Sequence, residues 1–257
     1  MGNYKVFLQK EIMEIFRTKR ILGLFCVFVF FAVTSPLLAR YMMEFIELLA
    51  PAEEQLGFIM ADPVWTDSYI QLYGNLAQIG NIAIILLFMG AIVSEKRRST
   101  ADLVFTKGLC HSHFVMAKFT VMSAAVLAAM LVSVLITYAI TATLFDTGGR
   151  FGEVLLGGFL YALFMVLIVS VTLLASTVAK SLVISAMLAF VGFLLIAGIS
   201  ALPTIGDLLP GQLLNRSVEV TAGYFHGNLL GNVLTTLGLG LGCLLLSIFL
   251  LKRQEGA

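Results

Sequence analysis

Six stretches of this chain run apolar for about twenty residues or more, a pattern that leaves few folds open. They cover residues 21–39, 75–93, 119–145, 154–179, 181–202 and 229–251. At 1.5 Å rise per residue, each is long enough to cross the roughly 30 Å of a bilayer's hydrocarbon. Only 12% of the 257 residues are charged and 60% are hydrophobic, whereas a soluble domain carries about 25% charged residues. The expected fold is an all-α integral membrane domain of six transmembrane helices. It covers 1–257 as one unit, because no gap between the runs holds a soluble domain. The fourth and fifth runs meet at Lys180 with almost no loop, so they form an antiparallel hairpin. A net charge of +1 offers no basic excess to attract nucleic acid.

Six spans put both termini on one side, and the basic residues say which side that is. Thirteen of the sixteen Lys and Arg residues fall there, while only Arg40, Arg150 and Arg216 fall opposite; ten of the fifteen acids show the reverse bias. The expectation is a multi-pass protein of the cell (plasma) membrane with both termini and the loop between spans two and three in the cytoplasm. Residues 1–20 read as an interfacial elbow helix, with Tyr4, Leu8, Ile12, Ile15 and Phe16 on one face and Lys10, Glu14 and Arg17 opposite, the basic side chains turned towards lipid headgroups. No small-residue cleavage site follows the first run, so a removable signal is not expected. The opposite-side loops are 40–74 and 203–228. In the first, MMEFIELLA is helix-like up to Pro51 and ADPVWT is extended or turned. The second has room for a short re-entrant helix, with two prolines and several glycines.

As drawn, the six cores contain no Asp, Glu, Lys, Arg or His. A mid-bilayer charge costs at least about 2.5–3.5 kcal/mol and marks ion paths and proton relays. Its absence argues against a carrier built around a buried carboxylate. No HExxH zinc motif and no GxxxxGK[ST] phosphate loop occur, so neither metalloprotease chemistry nor ATP binding by that device is expected of this chain. Cys26 and Cys243 sit within apolar runs and Cys110 in a polar loop, which suggests no disulfide framework. The mildly polar residues inside the spans have two readings. Either they are hydrogen-bonding glue between helices, or Asn75, Gln78, Asn81, Thr137, Tyr138 and Thr141 line a translocation path for an amphipathic cargo.

The segment SEKRRSTADLVFTKGLCHSHFVMAKF (94–119) interrupts the apolar pattern. Ser99, Thr100 and Asp102 are good helix starters, Leu103, Val104 and Phe105 give the helix an apolar side, and Gly108 can end it. Ser112 is the expected cap of the next helix. The series resembles the type-2 ABC transporter permeases, in which an acid, a Gly-Thr, an apolar helix, a helix break and a Lys occur in this order between spans two and three. Here the acid is Glu95, the Thr is Thr100 and the Lys is Lys118; Ser99 stands where the family has Gly, Gly108 where it has Pro, and His111 where it has Arg.

The resemblance implies that 100–107 is a coupling helix that docks on a separate cytosolic ABC ATPase, with Leu103 and Phe105 as apolar anchors. Glu95, Thr100, Asp102, Lys107, Gly108, His111 and Lys118 complete the coupling set. It further implies two ATPase copies that bind ATP and Mg, no cofactor or catalytic residue in this chain, and a second permease subunit, identical or not. The expected role is a dimeric exporter of an amphipathic or hydrophobic peptide, drug or lipid. Two other readings of the segment are a metal site at Cys110, His111 and His113, and a plain basic inner loop. Other classes for the whole chain are a six-helix channel or secondary carrier without ATPase, a membrane enzyme, or a membrane-embedded immunity or accessory protein.

Overall fold

The computed structural model describes residues 2–49, 62–98, 106, 110–200, 208–224 and 228–255. Helix α1 (Gly2–Arg17) is followed by α2 (Arg20–Leu49) after a sharp turn at Lys19, whose φ is +57°. Next come α3 (Trp65–Asn75), a π-turn (Leu76–Gly80), α4 (Asn81–Phe88) and α5 (Val93–Arg97), which together form one broken span. Then follow α6 (His111–Leu144), α7 (Phe151–Val178), α8 (Leu182–Ser200), a 3₁₀ turn at Pro210–Gln212, α9 (Leu213–Thr221) and α10 (Leu229–Glu255). Six of these segments are long and apolar enough to cross a membrane.

Helix α7 is the axis of the bundle. In its apolar stretch 72% is buried, against 11% for α8 and 22% for α10, so α8 and α10 leave most of their apolar surface on the outside of the bundle. Helices α7 and α8 form the hairpin expected at Lys180. The second span begins at Trp65, not at residue 75. Its polar residues Thr66, Asp67 and Gln71 hide a helix whose Tyr69, Leu72, Tyr73 and Leu76 are buried at helical spacing. Asp67 Oδ2 accepts the Val64 N–H at 2.9 Å and fixes that start. The third span begins at His111, not at residue 119, with Cys110 rather than Ser112 at the N-cap position. In the loop 203–228, α9 buries Leu213, Ser217, Val220 and Thr221 against α7 and α3.

Each irregularity in the spans is repaired by a polar side chain. Pro36 inside α2 deprives the Ala32 carbonyl of its helical donor, and Thr137 Oγ1 of α6 donates to it at 3.1 Å. One turn earlier, Ser133 Oγ donates to Phe28 O at 2.7 Å. At the π-turn the Asn81 N–H reaches back to Leu76 O, and Asn81 Nδ2 covers the relinquished Ala77 carbonyl at 3.0 Å. Between α4 and α5 the helix breaks at Met89–Ile92. Ser176 Oγ of α7 there accepts the Ile92 and Val93 N–H groups, both at 3.0 Å, and donates to Met89 O at 2.9 Å; Ser185 Oγ of α8 donates to the same carbonyl at 2.7 Å.

Ser176→Ala leaves two buried N–H groups at Ile92 and Val93 without that acceptor. The expected cost is about 1–3 kcal/mol, read as a lowered unfolding midpoint in lipid nanodiscs. An unchanged midpoint would show that the break needs no clasp.

Candidate functional site

The two charged residues that flank the polar segment meet inside the protein. Glu95 lies on α5 and Lys118 two turns into α6, and Lys118 Nζ donates to Glu95 Oε1 at 2.9 Å. The two positions, 23 residues apart in sequence, are therefore held side by side. Lys118 also donates to Glu11 Oε1 of α1 at 2.9 Å. Lys10 of α1 reaches Glu95 Oε1 and Glu14 Oε2 at 2.6 Å, and Glu11 Oε1 at 2.9 Å. Three carboxylates and two ammonium groups thus form one network across α1, α5 and α6.

The network is buried at its centre. Lys118 is 1% exposed, Glu11 5% and Glu95 7%. The Phe7 and Phe114 rings pack against each other, 5.3 Å between centroids, and Lys118 Nζ lies 5.8 and 5.0 Å from them. Burial works against the charge of Lys10, yet Glu11, Glu14 and Glu95 hold its pKa above the ordinary lysine value. Burial likewise works against an ionised Glu14, but the Lys10 hydrogen bond, with the charges of Lys118, Lys10 and Arg20, brings its pKa below the ordinary carboxylate value.

From sequence, Lys10 and Glu14 are expected on the face opposite the apolar stripe, with Lys10 towards lipid headgroups, and Glu11 does not stand out. The structure buries Glu11 with Tyr4, Phe7, Leu8 and Ile15, keeps Lys10 and Glu14 half-buried beside it, and leaves Val6, Ile12, Met13 and Phe16 on the exposed side. The apolar stripe assigned to α1 is thus divided, because a helix with apolar residues on two sides can offer one to the bundle and one outward. The signal available in the sequence was the spacing of Phe7, Glu11 and Ile15, which puts an acid in the middle of an apolar row.

The carboxylates of Glu11, Glu14 and Glu95 lie within 4.8 Å of one another, a spacing that could hold a cation. Lys10 and Lys118 already occupy that space as counter-ions. Among the described residues this is the one grouping of three ligand-type side chains; Cys110, His111 and His113 form none, and the His113 ring packs on Tyr4 at 5.5 Å. Thr100, Asp102, Leu103, Phe105, Lys107 and Gly108 lie outside the described residues. Beside the network, Lys96 Nζ donates to Thr177 O at 2.8 Å and Gln254 Oε1 at 2.5 Å, so the start of α1 and the end of α10 share one end of the bundle.

The six residues expected to line a translocation path have different surroundings among the described residues. Thr137 serves the Pro36 break, Asn75 Nδ2 donates to Ser35 Oγ at 3.3 Å, and Gln78 is exposed. Tyr138 packs edge-on against Phe151, 5.2 Å between centroids, and Thr141 is buried nearby on α6. Asn81 differs, because it lines a cavity of about 250 Å³ between α4, α7, α8 and the α9 segment.

No family model matches the chain. It is similar to YxlG of Bacillus subtilis (strain 168), an uncharacterized transmembrane protein, with 22% identity over 176 residues, covering 68% of this chain and 67% of the relative. Six apolar helices and this relative together make the chain a multi-pass membrane protein.

Proposed function

We propose that this chain is the transmembrane subunit of a type-2 ABC transporter, driven by a separate cytosolic ATPase that docks on residues 100–107. Two copies of the ATPase and a second permease subunit complete the assembly, and the cargo is an amphipathic or hydrophobic molecule moved outward across the plasma membrane. The distribution of Lys and Arg supports an orientation with both termini and the docking segment in the cytoplasm.

The observation that carries the reading is the Glu95–Lys118 contact. A loop that transmits force must not slide at its base. Here both ends are joined by a buried ion pair, and the pair is joined to α1 through Glu11 and Lys10. A push on the loop reaches α1, the broken second span and α6 together. The break at Met89–Ile92 lies just above the base and is tied to α7 and α8 through Ser176 and Ser185. ATP-driven closure needs an element with different contacts in two states, and a helix broken next to a fixed base has that form.

The test is purification of the tagged chain from its native membranes. An ATPase should co-purify with the parent chain, and Phe105→Asp should reduce its recovery at least tenfold while the melting temperature of the membrane subunit stays unchanged. A chain that purifies alone and moves solute without ATP is a channel or secondary carrier instead.

A further inference from the structure

Two cavities within the bundle differ in chemistry. The first, about 230 Å³ between α6 and α7, is bounded by side chains such as Leu127, Met130, Leu155 and Phe159 and has no hydrogen-bonding side chain among the described residues. The second, the cavity beside Asn81, is of similar size but has a polar floor and a polar rim. We propose that this second cavity binds a small neutral amphiphile bearing a hydroxyl or amide N–H donor, and that the donor is received by Asn81 Oδ1.

The π-turn sets the chemistry of the floor. Asn81 is fully buried, and both uses of its Nδ2 are assigned: Ala77 O at 3.0 Å and the Tyr161 hydroxyl at 3.4 Å. Repair of the backbone thereby fixes which way the amide points. Its Oδ1 is left buried, with no hydrogen-bond partner among the described residues. Buried acceptors in that state are uncommon and call for a donor. The body of the ligand would rest against Phe164 and Phe193, and the rim carries Gln212 and Asn215, which bond to each other at 2.9 Å.

No Lys, Arg, Asp, Glu or His among the described residues lines the cavity, so an ionised headgroup would enter without a counter-charge. A volume of about 250 Å³ falls just below the range of drug-sized sites, which sets the ligand as small. This inference rests on the transport reading only for its meaning, since it would name the cargo class as neutral and donor-bearing.

The experiment uses the intact chain in nanodiscs, without ATPase. The probes are a ten-carbon alcohol carrying a terminal diazirine and the methyl ether of the same compound. After photolysis, adducts should map to the peptide holding Phe193 and Ala197. The alcohol should label roughly tenfold more than the ether, the weight of about one hydrogen bond. Asn81→Leu should erase that preference, and Ala197→Trp, which puts a large ring into the cavity wall while keeping the Asn81 side chain, should block both probes. Equal labelling by alcohol and ether on the parent chain, or labelling unaffected by Ala197→Trp, would overturn the assignment even if Asn81→Leu failed to fold. A chain that captures the alcohol yet recruits no ATPase would keep the cavity and remove the transport reading. Recruitment of the ATPase with no preference for the alcohol would do the reverse.

Discussion

Replacing Lys118 with methionine should destabilise the chain by about 3–5 kcal/mol, the cost of removing one partner from a buried ion pair. Methionine keeps the apolar stem but removes the ammonium that Glu11 and Glu95 both face at 2.9 Å. Two buried carboxylates would then lose the ammonium between them, with the half-exposed Lys10 still beside both. The loss should appear as a lower unfolding midpoint in nanodiscs. Adding Glu11→Gln and Glu95→Gln to Lys118→Met should recover most of it, because the penalty lies in the abandoned charges rather than in the missing bond. If Lys118→Met melts with the parent chain, the network does not fasten α1 to the bundle.

The second large effect is expected at Gly157, where α9 lies directly on α7. A Cβ at this position would fall 2.6 Å from the Ser217 carbonyl oxygen and 2.1 Å from Thr221 Oγ1. A side-chain oxygen can rotate away, but a helix carbonyl moves only with its helix. Thr221 is held in addition by the Tyr73 hydroxyl at 3.1 Å. Gly157→Ala should cost about 1–3 kcal/mol as overpacking, and Gly157→Leu should lift α9 from the bundle. Amide exchange in 213–221 should then rise to that of an undocked helix. Gly152→Ala on the same helix meets open space and should change stability by no more than about 0.5 kcal/mol. Equal effects at the two glycines would mean that α9 does not rest on α7 as described.

The six spans were legible because hydrocarbon imposes length and apolarity together, and a twenty-residue run such as 229–251 suits little besides a crossing of the bilayer. The hairpin at Lys180 was legible for a related reason, since two spans with no loop must turn back on each other. Helix α3 was not: Thr66, Asp67 and Gln71 mask its buried row of Tyr69, Leu72 and Tyr73, which a hydropathy average dilutes. The polar residues inside the spans were visible, but not their purpose. Thr137 answers a proline on α2, and Ser176 answers a break almost ninety positions earlier; such pairings depend on which helices become neighbours. Glu95 and Lys118 could be singled out through their order along the chain. For Glu11 the spacing with Phe7 and Ile15 marks an acid within an apolar row, but its partner shows only in the docking of α1 on α6.

The central claim is that a cytosolic motor takes hold of the segment between α5 and α6. A photo-crosslinking amino acid at position 103, activated in living cells, measures this most directly. The expected result is a single major adduct with a nucleotide-binding ATPase, lost when Phe105→Asp is added. Labelling of the same position by a membrane-impermeant reagent from outside the cell, with no ATPase adduct, would contradict it.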